Sequence, residues 1–489
     1  MGRRRRIFLL FFAVATAVLG GKALAAEEKQ YLVYCASDAA VSLSAEDAVP
    51  VPLMPRRGVY LCKESELSEV QKLPGVIRVE ENAPAFLYEE PEVVPNDPGL
   101  LNQWNLDVIG MKESWYWNAE GKGTRIAVID SGVDASHPDL RGHIIAEKNL
   151  CVSSETGEVE NPTDVMDIVG HGTAVASIVA AGINDGCGMA GISSADLVSL
   201  RVYDTSSNAA SIALAIYAAV DDYQCDVINL SLGTPKDVDF LRNAVEYALS
   251  HNVILVAASG NHSDGHGDAL RYPASYDGVI SVGSVNRDGS YYSGAAANDG
   301  VKVAAPGVSI YAATLKNTWK MQTGTSFACP QVAGAAAVLR GIENTLSPAE
   351  YLALIRETAT DTEETGWDKK TGYGIIHIKK MADEVFRRQG MLVFSRTKNV
   401  GGAAQCRVWN STDVKKEGIA VAAAYRAGDA SQLISFQAEP FVAAPQEKVT
   451  LSCAAVEEDA VRFMLWDGLG RLSPLPTYPL CREEAADSL

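Results

Sequence analysis

The chain has 489 residues, 42 of them Lys or Arg and 61 Asp or Glu, for a formal net charge of −19. At about 100–200 residues per domain, this length implies two to four domains. A hydrophobic fraction of 47% excludes wholesale disorder, and the acidic balance argues against nucleic acid as a partner, because phosphate binding needs a basic face.

The one basic cluster opens the chain. Arg3, Arg4, Arg5 and Arg6 precede an apolar run from Ile7 to Leu19, and the small residues Ala23-Leu24-Ala25 follow. That succession predicts a secretory signal peptide over residues 1–25. The alternative is an uncleaved N-terminal anchor, although the run falls short of the ~20 residues that span a bilayer. Arg5-Arg6-Ile7-Phe8-Leu9 also resembles a twin-arginine signal, while the strongly apolar run favours the general secretory route. No later stretch is long enough to cross a membrane. The expected product is secreted or cell-surface associated, and free of the membrane after signal cleavage. Nine cysteines are an odd number for an oxidising compartment, so at least one thiol stands outside any intrachain pairing.

Residues 26–90 alternate strand-like and helical patterns: strands over Gln30 to Cys35, Gly58 to Cys62 and Val76 to Val79, and a helix over Ser65 to Lys72. Cys35 and Cys62 either pair or stand as separate thiols. Phe86 to Pro95 is acidic and proline-punctuated, which predicts an exposed linker. Residues 91–389 then alternate short apolar strands (Arg125 to Ile129, Asp226 to Leu230, Val253 to Ala257, Val279 to Val282) with helices (Ala174 to Ala181, Ala209 to Tyr223, Phe240 to Ser250, Pro330 to Ile342). Continuous apolar strands separated by helices predict an α/β fold, a parallel sheet covered on both faces. From residue 390 to 489 long helices are absent and short strands recur, from Met391 to Phe394 through Val461 to Trp466, predicting a small all-β sandwich.

Three segments carry chemistry together. Ala127-Val128-Ile129-Asp130-Ser131-Gly132 sets an aspartate at the C-terminal end of a buried strand, where open α/β sheets place ligands. Gly170-His171-Gly172-Thr173 opens a helix with a histidine. Gly324-Thr325-Ser326-Phe327-Ala328-Cys329-Pro330 sets a serine at a helix N-terminus, where partial positive charge favours a developing anion. Singly, each reads as a turn or a tight bend. Jointly, in the order Asp…His…Ser and with their flanking residues, they resemble the subtilisin-like serine proteases from about Asn96 to Gln389.

The resemblance implies a serine endopeptidase acting on peptide or protein substrates through an acyl-enzyme on Ser326. His171 is then the general base and acid, and Asp130 holds its tautomer. Val256-Ala257-Ala258-Ser259-Gly260-Asn261 matches the family's oxyanion strand, with Asn261 as side-chain donor. Asn261-His262-Ser263 also reads as a glycosylation sequon. Asp226 to Gly233 resembles the strand that lines the substrate groove, so Ser231, Leu232 and Gly233, with Ser259 and Gly260, are expected to bind substrate by main-chain pairing. Asn229 within that strand reads as a buried, hydrogen-bonded structural residue.

Arg271 in Arg271-Tyr272-Pro273 stands where the family often has a small residue. Either it points into the primary specificity pocket and favours an acidic residue before the scissile bond, or it turns outward to Asp264 or Asp268. Val79-Glu80-Glu81-Asn82 resembles the end of a subtilisin-type propeptide, so residues 26–90 are expected to act as an intramolecular inhibitor and folding aid, released by a cut at Tyr88 to Glu90.

Catalysis needs no cofactor on this reading. Asp97, Asp139 and Asn184 match family positions that commonly bind structural calcium, against the alternative of ordinary surface loops. Cys329 and Cys225 read as buried structural thiols. His262 and His266, with Asp264 and Asp268, read as a solvated loop in preference to a metal site. Two rival functions remain at this stage: a non-catalytic binding or signalling protein on the same fold, and a ligase or cyclase that passes the acyl group to an amine.

Overall fold

A computed structural model describes residues 95–400, 403–426, 429–454, 460–466 and 477–478, and shorter stretches between residues 30 and 81. The signal over 1–25, the linker at 86–94 and the cleavage region at 88–90 lie outside the described residues, as do the side chains of Cys35 and Cys62. The chain divides into two compact units, residues 1–91 and 92–489. In the first, strands β1 (Gln30–Cys35), β2 (Val51–Met54), β3 (Val59–Lys63) and β4 (Val76–Glu81) form an antiparallel sheet ordered β2-β3-β1-β4, with a one-turn helix α1 (Leu67–Val70). No helix among the described residues is long and apolar enough to cross a membrane.

The second unit begins with two short helices, α2 (Asn105–Val108) and α3 (Met111–Tyr116). Seven strands follow: β5 (Arg125–Asp130), β6 (Ile144–Asn149), β7 (Asp196–Arg201), β8 (Val227–Leu230), β9 (Ile254–Ala258), β10 (Ile280–Val285) and β11 (Val303–Pro306). They make one sheet ordered β11-β10-β9-β8-β5-β7-β6, every pair parallel. Helices α4 (His171–Ala180), α5 (Ala209–Asp221), α6 (Asp239–Ser250), α7 (Thr325–Ile342), α8 (Pro348–Thr358) and α9 (Ile378–Gln389) connect or cover these strands, and β12 (Ile310–Thr314) pairs with β13 (Thr318–Gln322) as a hairpin.

The two-residue period of β5 divides the core. Ile126 and Val128 pack with α4 and α7, whereas Ala127 and Ile129 pack with α5 and α6. A strand buried on both faces has no room for polar alternation, hence its continuous apolar run. The strand order reverses at β5, with later strands continuing from its β8 side. Open α/β sheets bind ligands at such a switch point, beyond the carboxyl ends of the strands.

Helix α7 starts at Thr325, upstream of the predicted Pro330, which is an interior residue. Proline has no N–H, so the bond that residue 330 would donate to residue 326 is missing.

Residues 391–478 form two further sheets. Strands β14 (Leu392–Phe394), β15 (Lys398–Val400), β16 (Ala403–Asn410), β19 (Lys448–Ala454) and β21 (Thr477–Tyr478) make one, and β17 (Lys416–Arg426), β18 (Asp429–Ala443) and β20 (Ala460–Trp466) the other. A small apolar core, including Phe394, Val408, Phe441 and Leu465, lies between them, as expected for a sandwich.

Packing does not break at residue 390. Trp409 lies 6.0 Å from the Trp117 ring and 6.3 Å from Phe386. Asn118 Nδ2 donates to the Phe394 carbonyl at 3.0 Å, and Arg396 pairs with the buried Glu120. Replacing Trp409 by Ala should cost about 3–5 kcal/mol, the range for deleting a buried aromatic. Urea unfolding should show this as a single transition displaced for the whole second unit, not the loss of a β module alone.

Candidate active site

Asp130 is the last residue of β5, His171 the first of α4 and Ser326 the second of α7. The approach of α4 to β5 is tight: a Cβ on Gly172 would lie 2.0 Å from the Gly132 carbonyl oxygen and 3.2 Å from Asp130 Oδ1. Only glycine permits it. His171 Nδ1 then meets Asp130 Oδ1 at 2.8 Å, and the same oxygen accepts the Ser131 N–H at 2.7 Å. Asp130 is buried, while His171 is about one-third exposed. The imidazole ring lies 5.4 Å from Phe327, the neighbour of Ser326, so the heads of α4 and α7 meet.

Burial alone would pull the His171 pKa down. The Asp130 charge, its hydrogen bond and the more distant Asp167 charge outweigh burial, so His171 titrates above its ordinary value. The Ser326 hydroxyl is turned to the Ser231 carbonyl oxygen, 3.2 Å away.

Asn261 lies beyond β9 and is oriented by its neighbour in α7. Its Oδ1 accepts the Thr325 N–H at 3.0 Å and the Thr325 hydroxyl at 3.3 Å. A backbone N–H can only donate, so that atom is the amide oxygen and Nδ2 stays free as a donor. Ser231 follows β8 and Ser259 follows β9, at the same carboxyl edge of adjacent strands. Ser259 is buried, its hydroxyl donating to the Ala296 carbonyl, so its side chain is spent inside the protein. Leu232 packs on the core beneath the edge. Gly233 faces the Tyr272 carbonyl and Gly260 faces the Arg271 stem, both too close for a Cβ.

Of the two readings of Arg271, the structure shows the pairing with Asp264 and not a side chain directed into a pocket with its charge free. Its Nε and Nη2 donate to the two Asp264 oxygens at 2.8 and 2.7 Å, Nη2 also reaches the Gly267 carbonyl, and Nη1 donates to the Ala269 carbonyl. A buried guanidinium takes the nearest bidentate carboxylate, and here its own loop supplies one. His262 pairs with Asp268 in the same loop at 2.8 Å.

The calcium expectation narrows. Asp97 accepts the Asn184 and Asp185 N–H groups on its two oxygens, and Asn184 Oδ1 accepts the Asn96 N–H. Asp139 Oδ2 accepts the Met189 N–H and the Trp319 indole N–H, leaving Oδ1 buried without a partner. Of the three residues, Asp139 is the one with a buried oxygen that accepts no hydrogen bond. No group of three His, Cys, Asp or Glu able to hold a metal occurs among the described residues. Cys225 and Cys329 are buried free thiols. Burial pushes Cys225 up to about 12 and Cys329 higher still, against any nucleophilic role.

Sequence reasoning missed Asp167 and Thr325. Asp167 is buried and accepts from Ser131 Oγ, the Val169 and Gly170 N–H groups, and both the N–H and hydroxyl of Thr173. It caps α4 in place of Gly170 and ties that helix to the turn after β5. Its signal was an aspartate shortly before a helix start.

A model of the subtilase family matches residues 121–374. The chain belongs to the subtilase family. It is 38% identical over 267 residues to the major intracellular serine protease of Bacillus subtilis, covering 52% of this chain and 81% of that one. It is 31% identical to a thermostable alkaline protease of Halalkalibacterium halodurans, covering 76% and 96%. A protease of Pseudoalteromonas arctica superposes with a TM-score of 0.54 at 26% identity, over 60% of this chain and 99% of that chain. This subtilase is a serine-type endopeptidase that acts on peptide or protein substrates.

The His171 signal in NMR titration should give a pKa above the ordinary value of about 6.5. Asp130→Asn, which removes the charge and keeps the shape, should bring it down. An unchanged value would disprove Asp130 as the source.

Proposed function

We propose that this subtilase is a secreted endopeptidase, made as a self-processing zymogen, with Ser326 as nucleophile. The observation that carries the reading is the 2.8 Å contact between His171 Nδ1 and Asp130, at the head of a helix packed beside the one that bears Ser326. Neutral His171 takes the Ser326 Oγ proton through Nε2 as Oγ attacks the scissile carbonyl. The Oγ hydrogen, now directed to the Ser231 carbonyl, must first turn to His171. The tetrahedral oxyanion is held by Asn261 Nδ2 and the Ser326 N–H, one of the unpaired amides of the first helical turn. His171 returns the proton to the leaving amine, and water then cleaves the acyl-enzyme by the same exchange. The base is the neutral form, so activity rises with pH through the His171 pKa.

Ser231, Leu232 and Gly233 on one side, and Ser259 and Gly260 on the other, offer the backbone edges for an extended substrate. The leader over residues 1–25 supports export, although the Bacillus relative is named as intracellular. The division between residues 91 and 92 supports a separate prosegment with a cut at 88–90.

Full-length Ser326→Ala should neither release the prosegment nor hydrolyse a peptide, whereas Asn261→Ala should retain binding and lose about 10²–10³ in kcat. Release of the prosegment from Ser326→Ala would overturn self-processing. Product mass separates hydrolysis, which adds a water, from ligation.

A structural calcium ion belongs to this proposal only through Asp139, whose buried Oδ1 lacks a partner. Such an ion would brace the 182–188 loop and take no part in the chemistry. Chelation should lower the Tm of the wild type and leave Asp139→Asn unmoved.

A further inference from the structure

We infer that Ser231 is a positioning residue for the nucleophile: its hydroxyl replaces the helix hydrogen bond that Pro330 deletes. The inference rests on the assignment of Ser326 as nucleophile.

In helix α7 the Ser326 carbonyl would ordinarily accept the N–H of residue 330. That residue is proline and has no N–H. The Ser231 hydroxyl donates to the Ser326 carbonyl instead, at 2.9 Å. The contact is reciprocal, because Ser326 Oγ donates to the Ser231 carbonyl at 3.2 Å. Two residues 95 positions apart are thus doubly tied, backbone to side chain in each direction.

The direction of the Ser231 hydrogen is set from behind. Asn229 Nδ2 donates to Ser231 Oγ at 3.1 Å, so the single hydroxyl hydrogen is left for Ser326. Asn229 is in turn held by the Cys329 thiol, 3.3 Å from its Oδ1, and Cys329 lies one turn beyond Ser326 in the same helix. Asn229, Ser231 and Cys329 are all buried. The chain of bonds runs from α7 through the end of β8 and back to α7, and closes on the residue that carries the reactive oxygen.

Without Ser231 Oγ, the Ser326 carbonyl has neither its helical partner nor the substitute. The peptide unit is then held only at its other end, by the Phe327 N–H on the Gly324 carbonyl, and as it tilts about that bond Oγ and the Ser326 N–H shift with it. Both reacting atoms move while the backbone edges that hold substrate stay in place. The loss should fall on kcat and not on KM.

The test compares the full chain with Ser231→Ala, Cys329→Ala and the double variant Ser231→Ala/Pro330→Ala. The readouts are kcat and KM on a chromogenic peptide, the rate of labelling by a fluorophosphonate, and Tm. Ser231→Ala should lower kcat and the labelling rate about ten- to hundredfold, the scale for stranding one buried polar partner. KM should stay within about twofold. The double variant restores an N–H at position 330 and should recover most of the loss, which a general packing defect would not do. Cys329→Ala, which removes the thiol's contacts with Asn229, the Leu230 carbonyl and Ser231 but keeps the Ser231 hydroxyl, should lower kcat by a few-fold and keeps the proposal testable if Ser231→Ala does not fold. Overturning results are a Ser231→Ala or Cys329→Ala enzyme with wild-type kcat, or a double variant no better than Ser231→Ala at equal Tm. Hydrolysis persisting in Ser326→Ala would instead remove the nucleophile assignment itself.

Discussion

The close approach of helix α4 to the end of strand β5 is the constraint on which the site depends. Gly172 sits so near the Gly132 carbonyl that no side chain fits. The buried Asp167 carboxylate binds both partners at once, through Ser131 on the strand side and through Gly170 and Thr173 on the helix side. The Ser131 hydroxyl also accepts the Gly172 N–H. Asp130 and His171 face each other because of these contacts, and the imidazole inherits two buried negative charges. Both favour the protonated form of His171, while the helix-capping contacts satisfy Asp167 as a buried carboxylate.

Charge inside this acidic chain is handled by local pairing. Arg271 is closed off by Asp264 and loop carbonyls, Arg396 by Glu120, and the buried Arg201 by Asp164 and Asp204. Removing one partner from such a pair strands the other, so these residues pin loops more than they add net stability. Arg271 shows the consequence. Its stem lies between Gly233 and Gly260, at the carboxyl edge of the sheet, but its charge is already neutralised. It contributes shape there and no free charge.

Helix α7 has two roles that conflict locally. Its first turn leaves N–H groups without intrahelical partners, yet its long small-residue body packs deep in the core, where backbone groups need partners. Pro330 leaves a carbonyl open at Ser326, and the network from Ser231 and Asn229 fills it. The β-rich region joins the same core, where Trp409 against Trp117 and Phe386 connects two segments that composition alone would separate.

Much of this was legible in the sequence. The Asp130, His171, Ser326 and Asn261 segments carry their chemistry in short contiguous motifs. The strands β5, β8 and β9 declare themselves as apolar runs, because burial on both faces leaves no other composition. Where a long side chain points was not legible. Arg271 had two partners open to it, and the choice fell to a loop whose fold brings Asp264 within 2.8 Å. Asp167 showed only a helix-capping signal, and Thr325 none, because the partners that make them site residues, Ser131 for one and the Asn261 side chain for the other, lie far away in the chain. Pro330 read as a helix start because local rules place proline there, and only a serine 99 positions earlier makes an interior proline workable. The sequence determined which chemical groups are present and which segments bury themselves. The tertiary structure decided which group each one meets, because hydrogen bonds and ion pairs are set by the approach of distant segments and not by their neighbours in the chain.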